Sequence, residues 1–237
     1  MNSPSVDADA ILRAVAAHAL DLVVDGTTIG LGTGRAAAAF IAALGVRVRD
    51  GLRVCGVPTS TASADQARAL GIPLVELDGD VELDLTVDGA DEVAPNLDLI
   101  KGWGGALVRE RIVAAASRRQ VILVGEEKLV RALGARGRIP VEVIPLARGV
   151  AGRALARLGL AVTVRARDDG AALVTENGNL TLDCAPAAPL DPVAARALEA
   201  AVLALAGVVD TGLFLDTAER VLVGRSDGAV DVLQRAS

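Results

Sequence analysis

The chain has 237 residues, of which 52% are hydrophobic and 23% charged, a composition that excludes a disordered protein and fits one large or two small folded domains. Only 1% are aromatic and the formal net charge is -6, which argues against binding to nucleic acid because that function needs a basic face and stacking side chains. The two cysteines, Cys55 and Cys184, are too few for a disulfide framework and are expected to be reduced thiols.

The first predicted element is a helix over residues 9–24. Arg13, His18 and Asp21 interrupt its apolar pattern, so we expect neither a signal peptide nor a membrane contact, and we expect a cytoplasmic protein. His18 is the only histidine in the chain, and a histidine-based metal site or nucleophile would depend on it alone. The expectation is therefore a site without a metal ion.

Strands and helices alternate through the first half of the chain. Apolar runs predict four strands, and the segments between them predict three helices: strands at 27–32, 52–58, 81–89 and 120–125, and helices at 35–45, 59–71 and 104–117. Short apolar strands that alternate with helices are typical of a parallel sheet covered on both faces. The fold prediction for this half is a Rossmann-like α/β domain.

The pattern changes after Arg136 to the order β-α-β-β-α-β, which predicts a second, smaller α+β domain of ferredoxin-like type. Its predicted strands are 140–145, 161–167, 171–183, which folds back at Asn177-Gly178, and 208–214, and its predicted helices are 148–159 and 192–207. Residues 220–233 resemble a hairpin that returns to the first domain. The predicted domains are residues 1–136 with 215–237, and residues 137–214.

The stretch GLGTGR at residues 30–35 joins a predicted strand to a predicted helix. Unpaired N–H groups at such a helix start, together with the helix dipole, favour an anion. A dinucleotide site would need a third glycine where Arg35 stands, and an acidic residue after the second strand, which ends in Pro58-Thr59-Ser60. The turn therefore predicts a site for a small phosphoester or carboxylate, or a tight turn without a ligand.

Two carboxylates follow the third predicted strand, and a third lies in the next helix. Asp88 and Asp91 belong to the motif DGADE at the strand edge where ligands bind in parallel sheets, although Asx turns alone would also explain them. Glu110 lies on an apolar helix face, where partial desolvation makes a carboxylate a better base unless it forms an ion pair. Lys101 precedes this helix. These groups suit proton abstraction beside a carbonyl, as in an aldose–ketose isomerase acting on a sugar phosphate.

The chain resembles ribose-5-phosphate isomerase, type A, in seven stretches that run in order over nearly its whole length: GLGTG (30–34), VPTSTAS (57–63), DLTVDGADEV (84–93), LIKGWGGALVRERIV (99–113), LVGEEKLV (123–130), TENGNLTLD (175–183) and GVVDTGLF (207–214). The resemblance implies interconversion of D-ribose 5-phosphate and D-ribulose 5-phosphate through a cis-enediolate, in the non-oxidative pentose phosphate pathway. It also implies that no cofactor is needed, and a homodimer or homotetramer.

The resemblance assigns roles to individual residues. Glu110 matches the general base, and Asp88, Asp91 and Lys101 match the residues that open the ring and steady the enediolate; Asp88 and Lys101 count with Glu110 as catalytic. The substrate-binding set that it implies is Gly32, Thr33, Gly34, Arg35, Ala36, Asp88, Gly89, Ala90, Asp91, Lys101, Gly102, Trp103, Gly104 and Lys128.

The chain departs from the family pattern at two places. Arg35 and Ala36 replace a Ser-Thr pair whose hydroxyls touch the phosphate, so Arg35 either binds the phosphate by charge or points away from it. Trp103 replaces a glycine and would narrow or cover the pocket. Two other readings stay open: a coenzyme A transferase-like enzyme with a glutamate nucleophile, and a sugar-phosphate sensor without catalysis.

Overall fold

The computed structural model describes residues 8–79 and 81–235, which form two compact units. The ends of the first predicted domain, residues 1–7 and 236–237, lie outside these ranges. The first unit contains residues up to 90, 109–128 and the segment from 217, and the second contains 91–108 and 129–216. Segments 91–108 and 129–136 therefore group with the second unit, whereas the sequence placed them in the first.

The first unit is built on a six-stranded sheet in the order β13-β12-β6-β3-β1-β2, parallel except for the β12–β13 hairpin. This arrangement confirms the predicted parallel sheet and the return of the C-terminal hairpin to it. Its elements are α1 (Ala8–Leu20), β1 (Thr27–Leu31), α2 (Arg35–Arg49), β2 (Val54–Pro58), α3 (Thr61–Ala69), β3 (Leu85–Gly89), β6 (Gln120–Gly125), β12 (Arg220–Gly224) and β13 (Val230–Gln234).

Apolar side chains of α1 and α2 pack with the central strands in the main core of this unit, which includes Phe40, Ile29 and Leu123. Helix α4 (Leu107–Ala115) contributes Val113 to a second cluster with Val57 and Leu83. With only 1% aromatic residues in the chain, these cores consist mainly of Ala, Val, Leu and Ile.

The second unit contains a four-stranded antiparallel sheet in the order β10-β7-β9-β8 and two helices, in the chain order β-α-β-β-α-β that the sequence predicted. A three-stranded sheet, β11-β5-β4, belongs to the same unit. The elements are β4 (Glu92–Val93), β5 (Leu99–Ile100), β7 (Ile139–Val143), α5 (Arg148–Arg157), β8 (Leu160–Val164), β9 (Leu180–Pro186), α6 (Pro192–Leu203), β10 (Val208–Thr211) and β11 (Leu213–Phe214).

Several predicted boundaries were wrong. Helix α2 continues through Gly45 to Arg49, because a side chain at Gly45 would meet Leu70, with its Cβ 2.7 Å from the Leu70 Cβ, so this glycine permits close packing and does not end the helix. The predicted strand 208–214 is broken at Gly212 into β10 and β11, which pair in different sheets. In the predicted segment 171–183, the reversal at Asn177-Gly178 is present, since Val174 and Leu180 form an isolated antiparallel bridge, but a regular strand begins only at Leu180.

Two other boundaries also differ. The strand predicted at 81–89 begins only at Leu85, and Leu83 before it makes an isolated bridge to Ser117. The helix predicted at 104–117 is α4, which begins at Leu107 after a turn with Gly102 and Gly105 at positive φ.

Cys184, predicted to be a reduced thiol, is a free cysteine buried in β9, and burial raises the pKa of its thiol to about 12.

Candidate active site

The turn after β1 packs closely against β3. The N–H of Gly32 donates to the Val87 carbonyl at 3.0 Å, and a Cβ at Gly32 would lie 2.2 Å from Oδ1 of Asp88. At Gly30, a Cβ would lie 2.1 Å from the Thr86 hydroxyl oxygen. Side chains at either position would collide with β3, so these two glycines permit the close packing of β1 and its following turn against β3.

Asp88 is fully buried at the carboxyl end of β3, with 0% of its surface exposed. Its Oδ1 accepts hydrogen bonds from the N–H of Thr33 at 3.0 Å and from the N–H of Gly89 at 2.8 Å. The first bond joins the carboxylate to the glycine turn and the second joins it to its own strand end. Asp88 therefore lies directly beside the glycine turn in the first unit, as its position at the strand edge predicted.

A cluster of hydroxyl groups, which the sequence reading did not include in the site, surrounds Thr33. Its Oγ1 lies 2.7 Å from the Thr59 hydroxyl and 2.8 Å from the Ser60 hydroxyl, and the Ser63 hydroxyl donates to the Gly32 carbonyl at 2.5 Å. Ser60 also caps α3 by accepting from the Ser63 N–H at 3.2 Å. The available signal was the run of hydroxyl residues where β2 ends, since β2 lies beside β1 in a parallel sheet.

Helix α2 begins at this turn without a side-chain cap. Gly34 occupies the N-cap position with φ 98°, a conformation that favours glycine. The N–H groups in the first turn of a helix have no acceptor within it, so this end can receive an anion. Arg35 forms an exposed ion pair with Asp9 of α1 at 2.7 Å. Ala36 is half-buried and has no hydroxyl to offer.

Glu110 and Lys128 are the other predicted site residues in the first unit. Glu110 lies in α4 with 4% of its surface exposed, three residues from the buried Val113. Lys128 ends a short 3-10 turn, Glu126–Lys128, directly after β6. Because β1, β3 and β6 are parallel neighbours, the glycine turn, Asp88 and Lys128 lie along the carboxyl edge of one sheet, where ligands bind in such folds. Gly89 and Ala90, at the end of β3, lie at the same edge.

The second unit holds Lys101, which follows β5 and has only 2% of its surface exposed. Its N–H donates to the Gly212 carbonyl at 2.9 Å, and its Nζ lies 5.6 Å from the centre of the Phe214 ring. The next residue, Gly102, has φ 97°, and a Cβ there would lie 2.6 Å from the Leu107 Cβ. The lysine is therefore set in a tightly packed turn and is not a solvated side chain.

Trp103 is half-buried and contacts several groups of its own unit. Its backbone N–H donates to Oδ2 of Asp91 at 2.9 Å, and its indole N–H donates to the Arg138 carbonyl at 3.0 Å. The guanidinium groups of Arg136 and Arg138 lie 5.6 and 5.3 Å from its ring centre, a cation–π geometry. Asp91 and Trp103 are thus brought together, and the exposed Gly104 follows them.

Within the described residues, no group of three or more His, Cys, Asp or Glu side chains is arranged to hold a metal ion. None of the helices over this part of the chain has the length and apolar character needed to cross a bilayer.

Comparison with known proteins gives a consistent result. The family model for ribose 5-phosphate isomerase A (phosphoriboisomerase A) matches residues 55–228. A ribose-5-phosphate isomerase A from Gloeobacter violaceus is 48% identical over 230 residues, covering 96% of this chain and 97% of that protein. One from Roseiflexus castenholzii is 46% identical over 222 residues, covering 93% and 94%.

Solved structures agree with these sequence matches. Ribose 5-phosphate isomerase A from Methanocaldococcus jannaschii has a TM-score of 0.89 and 41% identity, covering 96% of this chain and all of that one (100%). A D-ribose-5-phosphate isomerase in complex with phospho-erythronic acid has a TM-score of 0.92 and 35% identity, with 97% and 100% covered. The chain belongs to the ribose-5-phosphate isomerase A family.

Proposed function

We propose that the buried carboxylate of Glu110 is the base with which this aldose–ketose isomerase moves a proton between C2 and C1 of the opened sugar, interconverting D-ribose 5-phosphate and D-ribulose 5-phosphate. The observation that carries the assignment is a carboxylate only 4% exposed in a helix of an isomerase-family chain. A relative 35% identical to this chain binds phospho-erythronic acid, a phosphorylated sugar acid whose carboxylate resembles the charge of an enediolate. The product of proton abstraction here is a cis-enediolate.

The substrate phosphate is proposed to bind at the turn after β1. The uncapped start of α2 supplies N–H donors, and the half-buried hydroxyl of Thr33 lies beside them. Arg35 is paired with Asp9, but an exposed ion pair contributes only about 0–1 kcal/mol, so the guanidinium is able to leave it for a phosphate. Lys128 at the same sheet edge is proposed to add a second positive charge.

The remaining predicted roles concern ring opening and the enediolate. Asp88 is proposed to exchange protons with the sugar hydroxyls during ring opening, and Asp91 to hold the turn through the Trp103 N–H. Lys101 is proposed to stabilise the negative oxygen of the enediolate, since a buried ammonium acts most strongly where water is excluded. A substrate gripped at its phosphate supplies binding energy that orients the reacting carbons.

Replacement of Glu110 by Gln tests the base. A positioned base contributes roughly 10²–10⁴-fold to the rate, so Glu110→Gln should lose about that factor in kcat while binding ribose 5-phosphate with little change. Turnover is followed as ketose formation by EDTA-treated protein, and binding by calorimetry. The exposed Glu82, paired with Arg118 in the same unit, provides the control variant Glu82→Gln, which should keep the wild-type rate. A near-wild-type rate in Glu110→Gln would refute the assignment.

Two alternatives from the sequence have no comparable support. The relatives from Gloeobacter violaceus, Roseiflexus castenholzii and Methanocaldococcus jannaschii, each matched over nearly the whole chain, are all named as the isomerase. None of these three is named as a coenzyme A transferase or a ligand sensor. Retained binding of ribose 5-phosphate by wild-type protein without any turnover would restore the sensor reading.

We also propose that the chain acts as a homodimer or homotetramer in the cytoplasm, within the non-oxidative pentose phosphate pathway. The support for assembly is a group of exposed apolar side chains at the start of α5, namely Ile144, Leu146 and Val150. Apolar surface of this kind commonly marks an interaction site.

A further inference from the structure

The sequence of the loop at residues 101–104 does little to restrict the conformation of its own backbone. Two of its four residues are glycines, and Gly102 has φ 97°. Glycine has more backbone freedom than any other residue, so a loop of this composition is costly to order. If Lys101 is to meet a substrate oxygen with an accuracy of a fraction of an ångström, something outside the loop must fix it.

Arg165, directly after β8, supplies that support. Its side chain is buried, with 6% exposed, and its Nη1 donates to the Gly102 carbonyl at 2.9 Å and the Trp103 carbonyl at 3.0 Å. One guanidinium nitrogen therefore bridges two consecutive peptide groups of the loop. Without this donor, both carbonyls would lose a charge-assisted hydrogen bond in a buried setting.

The other side of the same guanidinium is held by Asp183 of β9. Arg165 Nε donates to Asp183 Oδ2 at 3.0 Å and Nη2 donates to Oδ1 at 2.5 Å, a bidentate pair. Arg138 forms a second ion pair with Asp183 at 3.0 Å. Although burial alone would raise the pKa of Asp183, the Arg165 and Arg138 guanidiniums bring it below its ordinary value. A carboxylate that stays ionised keeps Arg165 in one orientation.

Arg138 reaches the loop as well. Its carbonyl accepts the Trp103 indole N–H, and its guanidinium lies over the indole ring. Asp183 is therefore connected to the loop through Arg165 at the backbone and through Arg138 at the tryptophan. All of these residues belong to the second unit, so the network is internal to it.

We propose that Arg165 is a positioning residue for the isomerisation: by holding the Gly102 and Trp103 carbonyls, it fixes the backbone that carries Lys101. This inference rests on the proposed role of Lys101 at the enediolate. Arg165 does not touch the reacting atoms, and Asp183 acts one step further away by orienting its guanidinium. Lysine cannot replace arginine here, because a single ammonium cannot serve the loop and Asp183 with the same fork of donors.

The tryptophan provides a readout that is independent of turnover. Trp103 is the only tryptophan in a chain without tyrosine, so intrinsic fluorescence reports on this loop alone. In Arg165→Met and Arg165→Lys, quenching of Trp103 by acrylamide should rise at least about twofold relative to wild type, because a loosened indole meets water more often. The matched control is Arg167→Met, which removes an arginine two residues away that pairs with Asp169 in solvent. It should leave the quenching unchanged.

The kinetic arm measures kcat and KM for ribose 5-phosphate with the same proteins. Misplacement of a reacting group by about 1 Å costs on the order of 10²-fold, so Arg165→Met and Arg165→Lys should lose about that factor in kcat with KM changed less than about threefold. Unchanged quenching, or changed quenching with kcat kept, would overturn the proposal. If wild type showed no turnover, the proposed function would fail, while the fluorescence would still decide whether Arg165 orders the loop.

Asp183→Asn covers the case in which Arg165 variants do not fold. This variant keeps the guanidinium but loses its charged anchor, so it should show the same two changes at smaller size, about tenfold in kcat. Folded Asp183→Asn protein with wild-type quenching and wild-type kcat would overturn the proposal by itself.

Discussion

Gly32 and Asp88 constrain each other at the carboxyl edge of the parallel sheet. The backbone of the turn approaches the carboxylate so closely that the Cβ of an alanine at position 32 would lie 2.2 Å from Oδ1 and 2.7 Å from the Asp88 Cα. The second distance involves backbone, which cannot move aside as a flexible side chain can. The conflict must therefore be relieved by shifting the turn, and with it the Thr33 N–H that orients Asp88.

Gly32→Ala is accordingly expected to lower both activity and stability. Overpacking of this kind costs about 1–3 kcal/mol, and displacement of the turn should reduce kcat/KM for ribose 5-phosphate by about 10²-fold. Urea denaturation and steady-state kinetics measure the two effects. Gly152→Ala in α5 is the matched control, because a Cβ there meets nothing within 4 Å and alanine should stabilise the helix by about 0.5–1 kcal/mol. Equal effects of the two substitutions would contradict the argument.

Strand β9 carries Asp183, whose pKa lies below its ordinary value because the Arg165 and Arg138 guanidiniums outweigh the effect of burial. A carboxyl group with a lower pKa in the folded protein stabilises the fold above its unfolded pKa, about 3.9, and this stabilisation is lost as the pH falls through the folded value. Asp183→Asn should therefore be less stable than wild type at pH 7, by roughly 2–3 kcal/mol since the side chain keeps some exposure.

This deficit should begin to shrink as the pH falls below the unfolded pKa of about 3.9, and it should be lost below the lower folded pKa, where wild-type Asp183 is also protonated and Arg165 has no charged partner in either protein. Urea denaturation at a series of pH values measures the difference. Asp169→Asn, which breaks the exposed pair with Arg167, serves as control and should change stability by less than about 1 kcal/mol at any pH. A deficit for Asp183→Asn that stayed constant from pH 7 to pH 3 would mean that its charge is not what stabilises β9.

At the same scale of elements, the sequence was a good guide to local structure and a poor one to pairing. The strand and helix order was readable, because apolar periodicity and N-caps such as Ser60 are local. The two-residue strands β4 and β5 were not, since β5 is ordered by pairing with β11, more than a hundred residues away. Gly45 was predicted to end a helix, because the sequence does not reveal that its backbone packs against Leu70, where a larger residue would collide.

The candidate site shows the same division. Recognisable motifs contain or adjoin four of the predicted site residues, Gly32, Asp88, Glu110 and Lys101. The side chains of Asp88, Glu110 and Lys101 are buried in the structure. Arg165 gives no signal in sequence, because an arginine inside a predicted strand, here 161–167, is ordinarily a solvated side chain on the outer face of the sheet. Its contacts with Gly102 and Trp103 span more than sixty residues, and such separations are fixed only by the tertiary fold.

For the molecule as a whole, the alternation of elements predicts the fold class, whereas the division into units depends on long-range contacts. Residues 91–108 follow directly on β3 in sequence but group with the second unit. The pairing of β5 with β11 and the hydrogen bond from the Lys101 N–H to the Gly212 carbonyl are two contacts that tie this segment there. Lys101 is consequently carried by the unit that also contains Arg165, and the proposed influence of this arginine on the lysine stays within one unit.

The proposed assembly leads to a prediction for the whole molecule. Leu146 is 91% exposed, and with Ile144 and Val150 it forms an apolar surface at the start of α5 that a lone chain would leave in water. If this surface is the contact between copies, Leu146→Asp should place a charge in a desolvated interface and shift the protein toward monomer. Light scattering coupled to size-exclusion chromatography measures the mass. Val46→Asp, at an exposed apolar position of α2 in the other unit, should leave it unchanged. An unaltered mass for Leu146→Asp would remove this surface from the proposed interface, and a wild-type mass of a single chain would refute the assembly itself.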